Sequence, residues 1–82
     1  MTPLSKKEVS KLIVELTTSE LNLQKGKITP DCLFKALNIK HLDLIKLIIL
    51  FEYIFKIKIT NKVYSNFKTL QDIIDYIWNS LL

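Results

Sequence analysis

The sequence predicts an all-α domain, a bundle of three main helices and one short helix. Apolar residues recur at helical spacing in three separate stretches of the chain. Ser5 and Thr69 each stand three residues before a glutamate or aspartate and just before an apolar stripe, a pattern typical of helix starts. One glycine and two prolines among 82 residues are too few turn-forming residues for an all-β chain.

The first predicted helix begins with a capping box, because Ser5 stands three residues before Glu8. Apolar residues then follow at helical spacing and predict one buried stripe, made of Val9, Leu12, Ile13 and Leu16. Residues 17–19 are two threonines and a serine, which have low helix propensity, so we expect them to weaken the helix.

A long loop is predicted for residues 21–31, since Asn22, Gly26 and Pro30 favour turns. We expect three apolar side chains to hold this loop against the core, namely Leu21, Leu23 and Ile28. Residues 31–37 then predict one short helical turn.

The most apolar stretch, residues 42–55, predicts a central helix with apolar side chains on two faces. We expect this helix to be the best buried, through a core face of Leu44, Leu47, Ile48, Phe51, Ile54 and Phe55. The second face holds Leu42, Ile45, Ile49 and Tyr53, with Lys46 among them. Because a surface helix needs only one apolar stripe, the second face is a candidate partner surface. The alternative is that it belongs to the core of a tighter bundle.

Residues 55–59 alternate between apolar and polar side chains, as a strand does. The segment is too short and isolated to build a sheet, so we expect an extended exit that buries Ile57 and Ile59. Residues 61–66 predict the short helix.

The closing helix begins at a second capping box, formed by Thr69 and Asp72. Its predicted buried stripe consists of Leu70, Ile73, Ile74, Ile77, Trp78 and Leu81.

The net charge is +4, from twelve basic and eight acidic residues. All twelve basic residues are lysines, and they are scattered along the chain. Arginine is the preferred side chain for phosphates and guanine edges, so we interpret the lysines as a solvated surface. No nucleic-acid partner is therefore predicted, although a small basic helical nucleic-acid-binding domain stays an alternative.

The single cysteine, Cys32, excludes an internal disulfide and a cysteine-rich metal site. We expect Cys32 to be a small buried hydrophobic residue in a cytoplasmic protein. The longest uninterrupted apolar run, residues 47–51, is far too short to span a bilayer, so no membrane association is predicted.

The central residues carry a resemblance to a known family. Leu42-Asp43, Leu47, Phe51-Glu52, Phe55, Ile57 and Ile59 follow one another at the spacing of a family pattern. That pattern is Asp-Ser-Leu, spaced leucines, then Leu-Glu-x-x-Phe-x-x-x-Ile, and it is typical of acyl carrier proteins and related peptidyl and D-alanyl carriers. Residues 33–37 and 69–77 also resemble family segments. The resemblance implies one carrier-protein-like four-helix domain over residues 1–82.

The resemblance places Lys40, His41 and Leu42 where the family has Asp-Ser-Leu. In the family that serine is joined to 4'-phosphopantetheine through a phosphodiester. The imidazole of His41 offers no hydroxyl, so we expect a degenerate attachment position and no cofactor. A catalytic role for His41 is not predicted either, because no second histidine or nucleophile pairs with it.

The resemblance also implies a protein-binding surface. Leu42, Ile45 and Ile49 match positions with which carriers touch partners, and Tyr53 extends the patch, with Lys46 as a charge at its rim. Family members are usually acidic, whereas Lys40 and Lys46 stand at two usually acidic positions.

The sequence therefore predicts a non-enzymatic interaction module that binds a protein such as a synthase or acyltransferase of fatty-acid, polyketide or peptide biosynthesis. One alternative is a functional carrier modified at an unrecognised residue. A further alternative is that the same patch forms a homodimer.

Overall fold

A computed structural model describes residues 5–24 and 26–82, and its helices confirm the predicted all-α class. The helices are α1 (Lys6–Glu20), α2 (His41–Phe55), α3 (Asn61–Tyr64) and α4 (Leu70–Leu81). The described residues contain no strand, only an isolated bridge between Leu33 and Thr69. Residues 1–4 and 25, which belong to the single domain predicted for the chain, lie outside the described residues.

Both predicted capping boxes are present. The Ser5 hydroxyl accepts the Glu8 N–H at 3.1 Å, and the Glu8 carboxylate accepts the Ser5 N–H at 3.0 Å. At the start of α4, Thr69 Oγ1 accepts the Asp72 N–H at 3.2 Å, and Asp72 Oδ2 accepts the Thr69 N–H at 3.1 Å. Each box satisfies two backbone donors that a helix start would otherwise leave unpaired.

Helix α1 buries one residue in each turn. These residues are Val9, Ile13 and Thr17. The two leucines of the predicted stripe, Leu12 and Leu16, are only half-buried, so the prediction of four buried residues is wrong for them. The Thr17 hydroxyl donates to the Ile13 carbonyl at 2.8 Å, which satisfies this polar group inside the core. The threonines therefore do not end the helix, which continues to Glu20.

Helix α2 begins at His41, one residue before the predicted start. Its fully or nearly buried residues are Leu44, Leu47, Ile48 and Phe51. Phe55 is half-buried, with its ring centroid 6.3 Å from that of Phe51. Ile54 was predicted to be buried but is 37% exposed. It lies in the last turn, about 60° around the helix from Phe51, and so at the edge of the buried face.

Helix α4 is the best buried helix of the domain. The prediction that α2 would be the best buried helix is therefore wrong. Four residues of α4 have no exposed surface, namely Leu70, Ile73, Ile74 and Ile77. Trp78 is half-buried and Leu81 is 40% exposed, so the predicted stripe is correct for the first two turns and wrong at its end. Helix α2 instead keeps a second apolar face in contact with solvent.

The long loop before α2 is held in place as predicted, with Ile28 buried and Leu21 and Leu23 half-buried against the core. The backbone carbonyl of Pro30 also accepts the Gln71 N–H at 2.8 Å, which joins the loop to α4. The predicted turn over residues 31–37 contains a bond from the Leu37 N–H to the Leu33 carbonyl, 3.1 Å long.

The segment after α2 is extended, as predicted, with Ile59 buried and Ile57 half-buried. Two side chains fix its backbone: Glu52 Oε2 accepts the Ile59 N–H at 2.7 Å, and the Tyr76 hydroxyl donates to the Lys58 carbonyl at 3.1 Å. Helix α3 follows, two residues shorter than predicted because it ends at Tyr64.

Candidate functional site

The exposed side of α2 carries most of the predicted partner surface. Leu42 is 73% exposed, Ile49 61% and Tyr53 79%, which is far more than an apolar core position allows. Ile45 is half-buried, so it belongs only partly to this surface. These exposures exclude the alternative that the second face of α2 lies in the core of the domain.

Four residues form a stripe along this side of α2, which we call the α2 stripe: Leu42, Lys46, Ile49 and Tyr53. Their positions follow the spacing i, i+4, i+7 and i+11, which keeps them within about 60° of Ile49 around the helix. From first to last residue the stripe is roughly 16 Å long. This is the geometry with which an amphipathic helix packs against a partner.

Lys46 lies along the stripe and lines two shallow depressions, one beside apolar residues and one that it shares with Glu20 and Asp43. A shallow depression beside the stripe is lined by Glu20, Lys46, Ile49, Leu50 and Tyr53. The side chain of Lys46 therefore has both apolar and acidic neighbours. Within the part of the chain that the structure describes, Lys46 takes part in no ion pair.

Both acidic residues of α2 are hydrogen-bonded to the backbone of the domain itself. Asp43 Oδ2 accepts the Lys40 N–H at 3.1 Å, and Glu52 accepts the Ile59 N–H at 2.7 Å. Both are also half-buried, whereas Lys40 and Lys46 are exposed. The exposed charges of α2 and its two caps are therefore the lysines Lys40, Lys46 and Lys56, whereas its carboxylates are half-buried.

His41 is the first residue of α2 and is exposed. Its ring centroid lies 6.4 Å from that of Tyr64, and the two rings are tilted by 44°. No hydrogen bond joins His41 to a carboxylate among residues 5–24 and 26–82, so the orienting group that a catalytic base needs is missing there. That His41 occupies the family's attachment position stays a prediction.

Cys32 differs from the expectation of a buried hydrophobic residue, because it is half-buried with its Sγ atom 3.0 Å from Thr29 Oγ1. The Cys32 N–H also donates to the Thr29 carbonyl at 3.1 Å, so the turn around Pro30 keeps the thiol beside this hydroxyl. Among the described residues, no three His, Cys, Asp or Glu side chains come together in a way that would hold a metal ion.

Asp75 links helix α4 to helix α1. It forms an ion pair of 2.8 Å with Lys6 of α1 and accepts a 2.9 Å hydrogen bond from Gln71. The bond to Lys6, and then that to Gln71, lower the pKa of the Asp75 carboxyl below its ordinary value.

Sequence reasoning missed two residues of this site, Leu50 and Glu20. Leu50 follows Lys46 by four residues, so helical spacing alone was enough to place it beside the stripe. Glu20 ends α1 and reaches the depression only through the packing of α1 near α2, which no local pattern reveals.

Over the described ranges, none of the helices has both the length and the apolar character needed to cross a membrane.

Comparison with known proteins gives a consistent set of relatives, although no model of a protein family matches the chain. The acyl carrier protein of Aster yellows witches'-broom phytoplasma is 39% identical over 66 residues, covering 79% of this chain and 87% of that protein. The acyl carrier protein of Buchnera aphidicola subsp. Baizongia pistaciae is 36% identical over 70 residues, covering 84% and 90%. That of Porphyromonas gingivalis is 32% identical over 75 residues, covering 90% and 96%.

The helical bundle and these relatives define a small carrier-type protein and not an enzyme. The chain belongs to the acyl carrier protein family.

Proposed function

We propose that this protein is a non-enzymatic member of the acyl carrier protein family that carries no prosthetic group. It acts, over the single domain of residues 1–82, by binding a protein partner of fatty-acid, polyketide or peptide biosynthesis. The observation that carries the proposal is the imidazole of His41 at the start of α2, next to an exposed apolar surface.

The start of α2 does not fit 4'-phosphopantetheine. The motif aligns His41 with the family's serine, and the phosphodiester to the prosthetic group requires a hydroxyl nucleophile. Imidazole has none, and a phosphoramidate formed on its nitrogen would hydrolyse readily. Lys40 adds a second departure, because it stands where the family has an aspartate beside the serine.

The exposed α2 stripe supports the partner-binding half of the proposal. Contiguous exposed apolar residues bordered by polar ones mark protein interaction sites more often than other surfaces do. Leu42, Ile45, Lys46, Ile49 and Tyr53 are the proposed partner-binding residues, of which Ile45 contributes only its exposed part. Ile49 lies near the middle of the stripe, where binding energy concentrates in most interfaces.

A loading assay tests the absence of the prosthetic group. The purified chain is incubated with coenzyme A, magnesium and a broad-specificity phosphopantetheinyl transferase, and its intact mass is then measured. We expect an unchanged mass, while a serine-bearing acyl carrier protein in the same mixture gains one phosphopantetheine unit.

The matched variant for this assay is His41→Ser, which restores the hydroxyl at an exposed helix start. We expect weak loading, because Lys40 and Lys46 oppose docking of an enzyme that is adapted to acidic carriers. Adding Lys40→Asp and Lys46→Glu should increase the loaded fraction. No loading of the triple variant would contradict the assignment of position 41.

The second candidate function is that of a working carrier modified at an unrecognised residue. It is favoured by the relatives, which are named acyl carrier proteins. A mass gain of one phosphopantetheine unit on the native chain would establish this function and overturn the proposal.

A further inference from the structure

We infer that the α2 stripe binds a helix-accepting surface of a protein partner that places a carboxylate opposite Lys46. This inference rests on the proposed function, and it specifies the chemistry of the partner: an apolar surface with an acidic side chain inside it.

The spacing of the stripe determines the shape of the partner surface. Leu42, Ile49 and Tyr53 project from one side of a rigid helix along roughly 16 Å. Helix-in-groove recognition uses anchors at such spacing, in which an apolar face enters a complementary groove or lies against a second helix. The partner therefore needs an elongated apolar surface of about three helical turns.

Lys46 determines the charge of the partner surface. It stands between Leu42 and Ile49 along the stripe and beside Leu50, so a partner that covers these residues also lowers the hydration of the Lys46 ammonium group. A desolvated charge without a counter-charge opposes binding, whereas a facing carboxylate compensates for the lost hydration.

Within the described residues, no acidic side chain forms an ion pair with Lys46, although Glu20 and Asp43 line a depression with it. Asp43 and Glu52 are hydrogen-bonded to backbone N–H groups of Lys40 and Ile59. Glu20 lines the same depression as Lys46, but the two side chains form no ion pair within the described residues. The counter-charge is therefore expected from the partner.

A second copy of the chain fits the stripe less well than an acidic partner. Two-fold pairing along the stripe would bury two Lys46 side chains in one apolar interface. Each copy also carries a net charge of +4, which opposes association at low salt.

Two synthetic amphipathic helical peptides provide the probe. Both have the same composition and net charge, with leucines that face the stripe. One has a glutamate at the centre of its apolar face and a lysine on the opposite face, and the other has these two residues exchanged. Each is titrated into isotope-labelled protein, and the dissociation constant is taken from the amide shifts of α2.

We expect the peptide with the central glutamate to bind at least about tenfold more tightly, since close interfacial charge pairs commonly contribute that much. Lys46→Glu should reverse the preference. Lys7→Glu is the matched control, because it makes the same charge change at an exposed position in the first turn of α1 and should leave the preference intact.

Equal affinities, a preference for the central lysine, or no shifts with either peptide would each overturn the inference. A dimer that Ile49→Asp dissociates would also overturn it, in favour of a second copy as the occupant. Failure of the proposed function is distinguishable, because it appears as a mass gain in the loading assay while the peptide preference persists.

Discussion

Asp43 Oδ2 accepts the backbone N–H of Lys40 at 3.1 Å, and this bond is only half of a capping box. Lys40 is the N-cap of α2, with extended backbone angles, but its side chain has no acceptor for the N–H groups of the first turn. Its ammonium group also stands at the positive end of the helix dipole. Helix α2 therefore begins with a less favourable cap than α1 or α4, which both have complete boxes.

Lys40→Asp should consequently stabilise the domain by about 1 kcal/mol, since an aspartate at this backbone conformation accepts a first-turn N–H and favours the dipole. The free energy of unfolding is measured by urea titration. Lys40→Asn separates the two effects, because it supplies the cap without the charge and should keep most of the gain. If Lys40→Ala stabilises equally, the gain comes from removing the ammonium group and the cap explanation is wrong.

Ser5→Ala and Thr69→Ala should each destabilise the domain by about 1 kcal/mol through loss of a cap. Both hydroxyls accept an N–H in the first turn, at 3.1 Å from Glu8 and 3.2 Å from Asp72. Ser5→Asp and Thr69→Asp keep an acceptor and serve as controls that retain most of the stability. The free energy of unfolding of all four variants is measured by urea titration. An alanine variant with wild-type stability would show that the capping hydrogen bond contributes nothing.

Acid should weaken the domain through Glu8 and Asp75. The pKa of Glu8 is lowered by its backbone and side-chain hydrogen bonds with Ser5, and that of Asp75 by Lys6 and then Gln71. A carboxyl whose pKa is lower in the folded than in the unfolded state stabilises the fold above its unfolded pKa. That contribution is lost as the pH falls through the folded pKa.

The free energy of unfolding should therefore decrease as the pH is lowered from about 5 to about 3. The decrease should be smaller in the double variant Glu8→Gln with Asp75→Asn, in which neither side chain titrates. Both carboxyls are exposed, so the difference is modest and diminishes with added salt. Parallel pH profiles for the two proteins would rule out these groups as the source.

Local features of the fold were predictable from the sequence, because their signals lie within a few residues. The capping boxes at Ser5 and Thr69 depend on pairs three residues apart, and the buried face of α2 depends on helical spacing. The extended segment that buries Ile59 was also predictable, since an isolated alternation has no strand with which to pair.

Burial at helix ends was not predictable, because it depends on which neighbour covers the last turn. Ile54 and Leu81 continue their apolar stripes but are 37% and 40% exposed. Thr17 shows the opposite error: its polarity indicates exposure, yet its hydroxyl is satisfied by Ile13 within the helix and its methyl group can join the core. At the candidate site, Glu20 approaches Lys46 only through tertiary packing.

Two apolar residues of α2 that are two positions apart, Phe51 and Ile49, differ in burial. Phe51 has no exposed surface, whereas Ile49 is 61% exposed. Phe51→Ala should cost roughly 3–5 kcal/mol, because it removes a buried ring and leaves a cavity beside Phe55. That is a large part of the ~5–8 kcal/mol expected for a small domain.

Ile49→Asp should cost less than about 1 kcal/mol, since the position loses helix propensity but little buried area. Helix content by circular dichroism and urea titration measure both variants, and Ile49→Ala controls for the buried part of the side chain. The same Ile49→Asp variant should lose binding of the helical peptides, because a carboxylate at position 49 then faces their apolar surface. If Ile49→Asp unfolds the domain, the residue is part of the core, and the α2 stripe loses the residue on which partner binding depends most.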